Sequence, residues 1–288
     1  MLLNTYEPWK FAFSSENEEI KENSFGIIGV PFDSTTSYHS GARLGPIVVR
    51  EASFGFEKFN TVFNKDLTAT FYDFGDVNVV PGNCERTSLI VEDTVNEILD
   101  LNLKPIIIGG EHSASIGAIK ALCERYEKLT VIHLDAHRDL AFEFVGEKYS
   151  HATVMRRAHE MGADLVQIGI RSSSMDEEEF VKSTYNIQTF KNKDAHKHMD
   201  AIKYYLTNID GPIYISIDMD VIDPAVAPHV GNPTPGGLLV HEIESILKTL
   251  CHKTIVGLDV VETAADRLGD ATAVVASKII CDFLTLVE

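Results

Sequence analysis

The sequence predicts a three-layer α/β protein, in which helices cover both faces of a largely parallel sheet of about eight strands. Two observations predict this architecture. Short β-branched runs recur along the 288 residues, and the segments between them have the periodicity of amphipathic helices. No Ser/Gly linker, low-complexity tract or internal repeat interrupts this alternation. Residues 1–288 are therefore expected to form a single domain, with residues 1–24 as an N-terminal extension.

Each predicted element is an apolar run or a helical pattern. The clearest strands are Phe25–Val30, Pro105–Ile108, Thr130–Leu134, Leu165–Ile170, Ile213–Ile217 and Thr254–Leu258, with Thr70–Phe74 as a seventh and Asn186–Phe190 as a weaker eighth. Helical patterns lie near residues 46–59, 86–101, 113–126, 151–160, 196–207, 240–250 and 270–286. The longest irregular stretches, 31–45, 139–150 and 223–239, all follow strands. Loops at the carboxyl ends of parallel strands form the ligand crevice of such a sheet.

Charge and composition exclude several classes of partner. The 25 Lys+Arg and 43 Asp+Glu give a net charge of −18, which argues against nucleic acid and anionic membranes but tolerates a cationic ligand. No apolar run approaches the roughly 20 residues that cross a bilayer, and the first residues lack the layout of a signal peptide, so we expect a cytoplasmic protein. The four cysteines are scattered without a CxxC motif, which favours buried thiols over disulfides or a zinc knuckle.

Acidic and imidazole side chains terminate four of the predicted strands. The segments that follow these strands are Gly109–Ser113, Asp135–Asp139, Asp218–Pro224 and Asp259–Glu262. Within them Asp135, His137 and Asp139 alternate at a spacing of two, and an extended chain sends such residues to one side. Several carboxylates are therefore expected to crowd together at one edge of the sheet.

Such crowding predicts divalent metal ions, because buried carboxylates repel one another unless cations lie between them. Two His and four Asp without a Cys suit Mn²⁺ better than a structural zinc. Six ligands are too many for one catalytic ion that keeps an open position. Two ions about 3.5–4 Å apart, sharing carboxylates and a bridging hydroxide, fit this count. His133 lies inside a strand and is expected to be a core residue.

Together the motifs resemble those of the arginase and agmatinase family, the ureohydrolases, from about Gly26 to the C-terminus. The segments that carry the resemblance are Gly29–Asp33 with Gly41–Pro46, Gly109–Ser113, Asp135–Asp139, Ser216–Pro224 with Pro235–Gly237, and Asp259–Glu262. The resemblance implies an arginase-like fold and two Mn²⁺ ions per subunit. It also implies a homo-oligomer, either a trimer or a hexamer.

The resemblance further implies a role for each site residue. His112 and Asp139 would hold one ion, His137 and Asp220 the other, and Asp135 and Asp218 would touch both. Glu262 would grip the substrate guanidinium in a two-point, charge-assisted contact. His151 would relay a proton to the leaving amine, as an imidazole that titrates near neutral pH can. The implied reaction is attack of a metal-bridging hydroxide on the guanidino carbon, which releases urea.

Five positions depart from the common family pattern. Members usually have a small residue in place of Arg138 and a glycine in place of Ala152, and many have Asp in place of Glu111. None of these changes removes a predicted ligand. Thr263-Ala264 replaces the usual Asn-Pro after Glu262, which bears on the shape of the guanidino pocket.

The loop at residues 140–150 bears on the choice of substrate. It is largely aromatic and apolar with Glu143 and Glu147, which suits an aliphatic ammonium better than an amino-acid head. Residues 168–172 and 150–153 also look more like agmatinase than arginase. We therefore expect hydrolysis of agmatine to putrescine and urea, a step of polyamine biosynthesis. The alternatives are arginase, guanidinobutyrase or formimidoylglutamase activity, and a non-catalytic sensor of polyamines or guanidines.

Overall fold

One nine-stranded sheet forms the middle layer. The structure, a computed structural model, describes residues 2–6, 9–16 and 19–287, without the side chains of residues 193–196 and 198. The strands are β1 (Thr5–Tyr6), β2 (Phe25–Val30), β3 (Phe59–Asn60), β4 (Lys65–Asp66), β5 (Phe71–Val77), β6 (Lys104–Gly109), β7 (Thr130–Leu134), β8 (Asp164–Ile170), β9 (Ile187–Lys191), β10 (Pro212–Asp218) and β11 (Thr254–Val261). The order in the large sheet is β1-β5-β2-β6-β11-β10-β7-β8-β9, and β3 and β4 form a separate hairpin.

All eight predicted strands are present and parallel. The ninth, β1, was not predicted; it forms the edge of the sheet and pairs antiparallel with β5, the outermost parallel strand. Further along the extension, the Phe11 amide donates to Asp73 Oδ2 at 2.6 Å and the Phe11 ring packs edge-on against Phe71. These described parts of residues 1–24 therefore pack onto the edge of the sheet.

Eight α-helices flank the sheet in the described chain: α1 (Gly45–Ser53), α2 (Cys84–Asp100), α3 (Ser115–Arg125), α4 (Val154–Glu160), α5 (Met175–Ser183), α6 (Asn192–Thr207), α7 (Val240–Leu250) and α8 (Ala271–Leu286). Seven correspond to predicted helices, although α1 ends before residue 59. Helix α5 was missed because it buries no residue and so has no apolar periodicity. Its one sequence signal is a capping box, in which Ser174 and Glu177 bond each other's backbone amides.

The helices form two layers with separate cores. Helices α1, α6, α7 and α8 contact one another along one face, and α2, α3 and α4 along the other. Alternate residues of a strand enter different cores: Ile106 and Ile108 lie in the first and Ile107 in the second. A sheet covered on both faces has apolar strands without polar alternation, which is why the runs were readable in the sequence.

A buried ion-pair network holds β5, the outermost parallel strand, against α1. Arg50 is fully buried; its Nε and Nη2 donate to the Asp73 carboxylate at 2.7 and 2.9 Å, and Nη1 donates to Asp76. Gly29 on β2 leaves room for this network, because a Cβ there would overlap Asp76. The network therefore fixes the sheet edge on which the N-terminal residues pack.

The described residues include no helix with both the length and the apolar composition that crossing a bilayer requires. All four cysteines are free, Cys84 and Cys281 being buried and Cys123 and Cys251 partly buried. Burial raises the pKa of the Cys84 and Cys281 thiols to about 12.

Candidate metal centre and active site

The predicted ligands meet at the carboxyl ends of central strands. Strands β6, β11, β10 and β7 are neighbours in the middle of the sheet, so the segments that follow them lie side by side. Five of the six predicted ligands are buried, and His137 is half-buried. The structure therefore brings together all six: His112, Asp135, His137, Asp139, Asp218 and Asp220.

The first group of side chains surrounds His112. Its Nδ1 lies 3.1 Å from Asp135 Oδ2, 3.0 Å from Asp139 Oδ2 and 3.2 Å from Asp218 Oδ2. None of these contacts has hydrogen-bond geometry, so this fully buried nitrogen has no hydrogen-bond partner among the described residues. Three carboxylate oxygens and one imidazole nitrogen thus converge on one point.

The other face of the His112 ring explains why Nδ1 is free. The Ser216 hydroxyl donates its only proton to Asp259 Oδ1 at 2.8 Å, so at 2.9 Å it accepts from His112 Nε2–H. The three carboxylates around Nδ1 raise the pKa of His112 well above its usual range in spite of its burial, so a positive charge at Nδ1 is favoured. With Nε2–H held by Ser216, Nδ1 is the nitrogen that can bind a metal ion in place of a proton, which is the arrangement that outer hydrogen bonds impose on metal-binding histidines.

The second group surrounds His137. Its Nδ1 lies 2.8 Å from Asp220 Oδ2 and 3.5 Å from Asp135 Oδ1. Backbone amides orient both carboxylates, since His137 N donates to Asp135 Oδ1 at 2.5 Å and Ala136 N donates to Asp220 Oδ1 at 3.0 Å. Asp135 therefore turns one oxygen toward each histidine and is shared by the two groups.

The electrostatics of the metal-free cluster are unfavourable. Burial and the neighbouring Asp135 raise the pKa of Asp139 to about 6, and burial with Asp220 and Asp135 raises the pKa of Asp218 well above its usual range. The backbone at Asp139 is also held in the left-handed region with φ at 52°. Positive charge among these carboxylates relieves their repulsion, so the donor set is suited to metal ions.

Glu262 follows β11 and lies beside the cluster. Its φ is 65°, its Oε1 accepts from His112 N at 2.8 Å, and a Cβ on Gly231 would lie 2.5 Å from its Oε2. Glycine at residue 231 thus leaves room for the carboxylate. Burial, together with the charges of Glu111 and Asp220, raises the pKa of Glu262 well above its usual range. A cationic ligand would stabilise this acid in its charged form.

His151 begins the 3₁₀ turn that leads into α4. Its Nδ1 lies 3.1 Å from Thr35 Oγ1, and its ring meets Phe144 edge-on with the centroids 5.0 Å apart. Burial, with the charges of His112 and His137, lowers the pKa of His151 to about 4. The ring is therefore neutral at pH 7. This differs from the sequence-based expectation of an imidazole whose pKa lies near neutral pH.

A cavity of about 190 Å³ joins these side chains. Five predicted metal ligands, His151 and Glu262 line it, together with Phe144, Ala152, Ser172, Ser173, Ser174 and Glu177. A second cavity of about 920 Å³ adjoins it and shares Thr36, Ser37 and Phe144. A small ligand can thus reach the metal cluster, His151 and Glu262 at once.

Sequence reasoning missed a set of supporting residues under the cluster. His133 is buried as expected, but its Nε2 also lies 2.8 Å from Asp135 Oδ2 and its Nδ1 lies 3.1 Å from Gln167 Nε2. Gln167 Oε1 in turn accepts from Arg138 Nη1 at 2.8 Å. His133 and Asp135 are two residues apart on one strand, so their shared side was a readable signal. The partnership with Gln167 was not readable, because it joins different strands.

Arg138 points away from the metal cluster. Besides Gln167, its guanidinium contacts Thr189 on β9 at 3.1 Å and Glu178 on α5 at 2.7 Å. The hydrogen bond from Arg138 lowers the pKa of Glu178 to about 2. This departure from the family pattern therefore ties α5 and β9 to the loop that carries the predicted ligands.

The loop at residues 140–150 agrees only in part with the expected aromatic lining. Phe144 lines both cavities and Glu147 lines the larger one. Phe142 instead packs with the guanidinium of Arg156 at 5.5 Å from its ring, and neither Phe142 nor Glu143 lines either cavity. Ser172–Ser174 and Glu177, at the start of α5, supply wall residues that the sequence reading did not assign.

The backbone of Thr263 and Ala264, which replace the family's Asn-Pro, pairs with the segment at residues 229–230. Ala264 N donates to His229 O at 2.9 Å, and Thr263 forms a β-bridge with Val230. Ala152, where the family pattern has glycine, lines the smaller cavity and its amide donates to Ser150 Oγ at 3.2 Å. Both departures are thus accommodated by local hydrogen bonds.

Comparison with known proteins gives one consistent result. Residues 23–285 match the Arginase family. An agmatinase of Pyrococcus horikoshii is 34% identical over 284 residues, which is 97% of this chain and 97% of that protein. The N(1)-aminopropylagmatine ureohydrolase of Thermococcus kodakarensis is 36% identical over 282 residues, 96% of this chain and 95% of that one. The crystal structure of agmatine ureohydrolase of Thermoplasma volcanium aligns with a TM-score of 0.88 at 32% identity, covering 98% and 94% of the two chains.

Proposed function

The chain belongs to the arginase family, and we propose that it is an agmatinase, a hydrolase that binds two Mn²⁺ ions and converts agmatine to putrescine and urea. The observation that carries this proposal is the buried His112 Nδ1, which has no hydrogen-bond partner among the described residues and faces three carboxylates in a cavity that Glu262 and His151 also line. A cation-binding cluster, a buried acid and a neutral imidazole are what the hydrolysis of a cationic guanidino group requires.

The arrangement of the two groups supports two ions. His112 and Asp139 would hold one ion and His137 and Asp220 the other. Asp135 turns one oxygen to each histidine, which supports a bridging position. Asp218 lies near His112 and accepts from Asp220 N at 2.8 Å, which supports a position between the groups. When bound, the ions supply a nucleophile at neutral pH by lowering the pKa of water.

Glu262 would orient the substrate. Its carboxylate is anchored at Oε1 by His112 N, and no hydrogen bond from a described residue occupies Oε2. A guanidinium can therefore bind Oε2 with the geometry of a charge-assisted pair. This contact holds the guanidino carbon over the metal cluster and removes part of the entropic barrier.

His151 would move a proton during the cleavage. Because the ring is neutral at pH 7, it accepts a proton before it donates one. The proton passes to the leaving nitrogen as the bond to the guanidino carbon breaks, and the electron pair of that bond stays on the nitrogen. The carbon keeps two nitrogens and the oxygen of water, so the products are urea and a primary amine.

The lining of the smaller cavity supports agmatine over acidic guanidines. Among the described residues that line it are Glu177 and four serines, and none is Lys or Arg. The carboxylate of arginine or guanidinobutyrate would thus meet no cationic side chain there. The ammonium of agmatine suits an acidic wall.

A second candidate is hydrolysis of N(1)-aminopropylagmatine, the compound named for the Thermococcus relative. The adjoining cavity of about 920 Å³ favours it, because a tail longer than that of agmatine can extend past Phe144. Glu85 and Glu147 line this second cavity and suit an additional ammonium.

Urea release by the purified, Mn²⁺-loaded protein tests the proposal. We expect the highest kcat/KM for agmatine in a panel with N(1)-aminopropylagmatine, arginine and guanidinobutyrate, and with formimidoylglutamate, whose hydrolysis is followed by release of formamide instead of urea. A preference for aminopropylagmatine would establish the second candidate, and a preference for arginine would overturn both. Binding of agmatine without urea release, by protein that contains two ions per subunit, would favour a sensor.

Assembly and location complete the proposal. A homo-oligomer is supported by exposed Trp9, Phe13 and Phe54, which line one shared surface depression. Light scattering on the purified protein would distinguish a trimer or hexamer from a monomer. The four free cysteines support a cytoplasmic protein of polyamine biosynthesis.

A further inference from the structure

A hydroxyl and a carboxylate lie in line behind His151. Thr35, in the loop after β2, places its Oγ1 2.5 Å from Glu111 Oε1, and Glu111 is fully buried in the segment after β6. The same carboxylate also accepts from Ser113 Oγ at 2.5 Å, Thr35 N at 2.7 Å and Thr36 Oγ1 at 3.4 Å. Burial raises the pKa of Glu111, but the hydrogen bonds of Ser113 and Thr35 oppose that rise, and four contacts on two oxygens match the acceptor capacity of an ionised carboxylate.

The hydrogen bonds of Thr35 determine which nitrogen of His151 carries the proton. A hydroxyl has one proton to donate and two lone pairs. Thr35 Oγ1 gives its proton to Glu111 and accepts from His151 N at 3.0 Å. The remaining lone pair faces His151 Nδ1 at 3.1 Å. Since Thr35 has no second proton, Nδ1 must donate, and the neutral ring is protonated at Nδ1.

His151 Nε2 is consequently the nitrogen with the lone pair. It has no hydrogen-bond partner in the described part of the chain, and the ring lines the cavity that contains Glu262 and the predicted ligands. The opposite tautomer would place two lone pairs, those of Nδ1 and Oγ1, against each other. Thr35 and Glu111 therefore exclude the tautomer in which Nε2 cannot accept a proton.

We propose that Thr35 and Glu111 are positioning residues for the proton transfer, holding His151 protonated at Nδ1 so that Nε2 faces the substrate as the base. This inference rests on the proposed function of His151. In the step itself, Nε2 gains one proton from the water whose oxygen is added to the guanidino carbon, and the ring becomes an imidazolium. Its positive charge is then one hydroxyl away from the Glu111 carboxylate. Nε2 returns the proton to the leaving nitrogen as the carbon–nitrogen bond breaks.

A double-mutant cycle tests whether Thr35 acts through His151. Thr35→Val removes the hydroxyl at nearly constant volume, and Thr35→Ser retains it. We expect Thr35→Val to lower kcat by roughly tenfold or more with KM and bound metal unchanged, as for the partial loss of general acid–base catalysis. Thr35→Ser should restore kcat to within about threefold of wild type.

The decisive comparison is made in a His151→Asn background. There Thr35→Val is expected to change kcat by less than about twofold, because the residue through which it acts is absent. An equal loss of kcat in both backgrounds would overturn the proposal, as would loss of metal in Thr35→Val or failure of Thr35→Ser to restore activity.

Nitrogen NMR gives a readout that does not depend on catalysis. In solid protein labelled with ¹⁵N-histidine and loaded with diamagnetic Mg²⁺, the His151 signals are those missing from His151→Asn. We expect a protonated Nδ1 and a bare Nε2 in wild type, and a mixture of tautomers in Thr35→Val. A protonated Nε2 in wild type would overturn this inference while leaving urea release intact. Absence of urea release with a bare Nε2 would instead contradict only the proposed function.

Discussion

The floor and the rim of the small cavity are built differently. The floor is the set of six predicted ligands, and the rim is the loop at residues 140–150 together with residues 172–177 at the start of α5. Floor side chains follow central strands and are mostly buried, whereas Phe142, Val145 and Glu147 of the rim are exposed. Backbone amides hold the carboxylates of Asp135, Asp218 and Asp220 in place, and the Ser216 hydroxyl holds His112.

This difference indicates that the floor of the cavity performs the chemistry and that the rim selects the substrate. A carboxylate held by rigid strands keeps its position with or without a ligand, which is what a metal centre needs. A loop on the surface can change its side chains at little cost in folding free energy. Substitutions should therefore have effects that decrease from the floor, through its supports, to the rim.

The largest effect is expected for a floor residue. Asp218→Asn removes a negative charge from between the two histidine groups, so the protein should lose metal and urea release should fall by roughly a thousandfold or more. Elemental analysis and a urea assay measure the two losses together. Asp100→Asn, on the exposed end of α2 at the opposite edge of the sheet, is the matched control and should behave as wild type. Full activity of Asp218→Asn would remove this residue from the centre.

A support under the floor should have an intermediate effect. Gln167→Leu removes the amide that contacts His133 Nδ1, and with it the orientation of the ring that bonds Asp135. Loss of such an outer hydrogen bond is expected to weaken Mn²⁺ binding by about 10- to 100-fold. Competition with a fluorescent chelator measures the affinity. The same change at the exposed Gln188 on β9 is the control, and equal affinities for both variants would show that the support is dispensable.

Metal binding at the floor should also reverse the dependence of the unfolding free energy on pH. In the metal-free fold the pKa of His137 is raised to about 12 and that of Asp139 to about 6, so the folded state binds extra protons. Their stabilisation is present below the unfolded pKa of each group and is lost as the pH rises through the folded pKa. His151, with its pKa lowered to about 4, opposes this trend only below about pH 6.5.

Metal-free protein should therefore melt a few degrees lower at pH 8 than at pH 5.5. Metal-loaded protein should show the opposite order, because protons compete with the ions for the same ligands. Calorimetry with and without a chelator measures both series. Parallel pH profiles for the two forms would contradict a floor that exchanges protons for metal.

The smallest effect is expected at the rim. Glu147→Gln removes one exposed charge from the larger cavity. This change should raise KM for N(1)-aminopropylagmatine by no more than about fivefold and leave kcat unchanged. Glu143→Gln, in the same loop but outside both cavities, should change neither constant. A large loss of kcat in Glu147→Gln would mean that the rim takes part in the chemistry.

The same contrast explains what the sequence could predict. The eight parallel strands and all six floor residues were readable, because buried strands form apolar runs and their carboxyl ends share one edge of the sheet. The edge strand β1 was missed because two residues give no pattern. Helix α5 was missed because it buries no residue completely, and Glu177 and Glu178 hold it through a hydrogen bond and an ion pair.

Supporting contacts were harder to predict than the residues they support. Ser216, Gln167 and Thr35 each act on a histidine from a different strand or loop, 34 to 116 positions away in the chain. Local periodicity contains no information about such pairs. The direction of Phe142 and Glu143 was unpredictable for a related reason, since the path of an exposed loop depends on packing against α4 and α5.

Diffraction at the manganese absorption edge, from crystals grown with Mn²⁺, tests the central claim most directly. The account predicts two anomalous peaks about 3.5–4 Å apart, one beside His112 Nδ1 and one beside His137 Nδ1, with Asp135 between them. No peak in the floor, or a single ion bound elsewhere in the cavity, would contradict it.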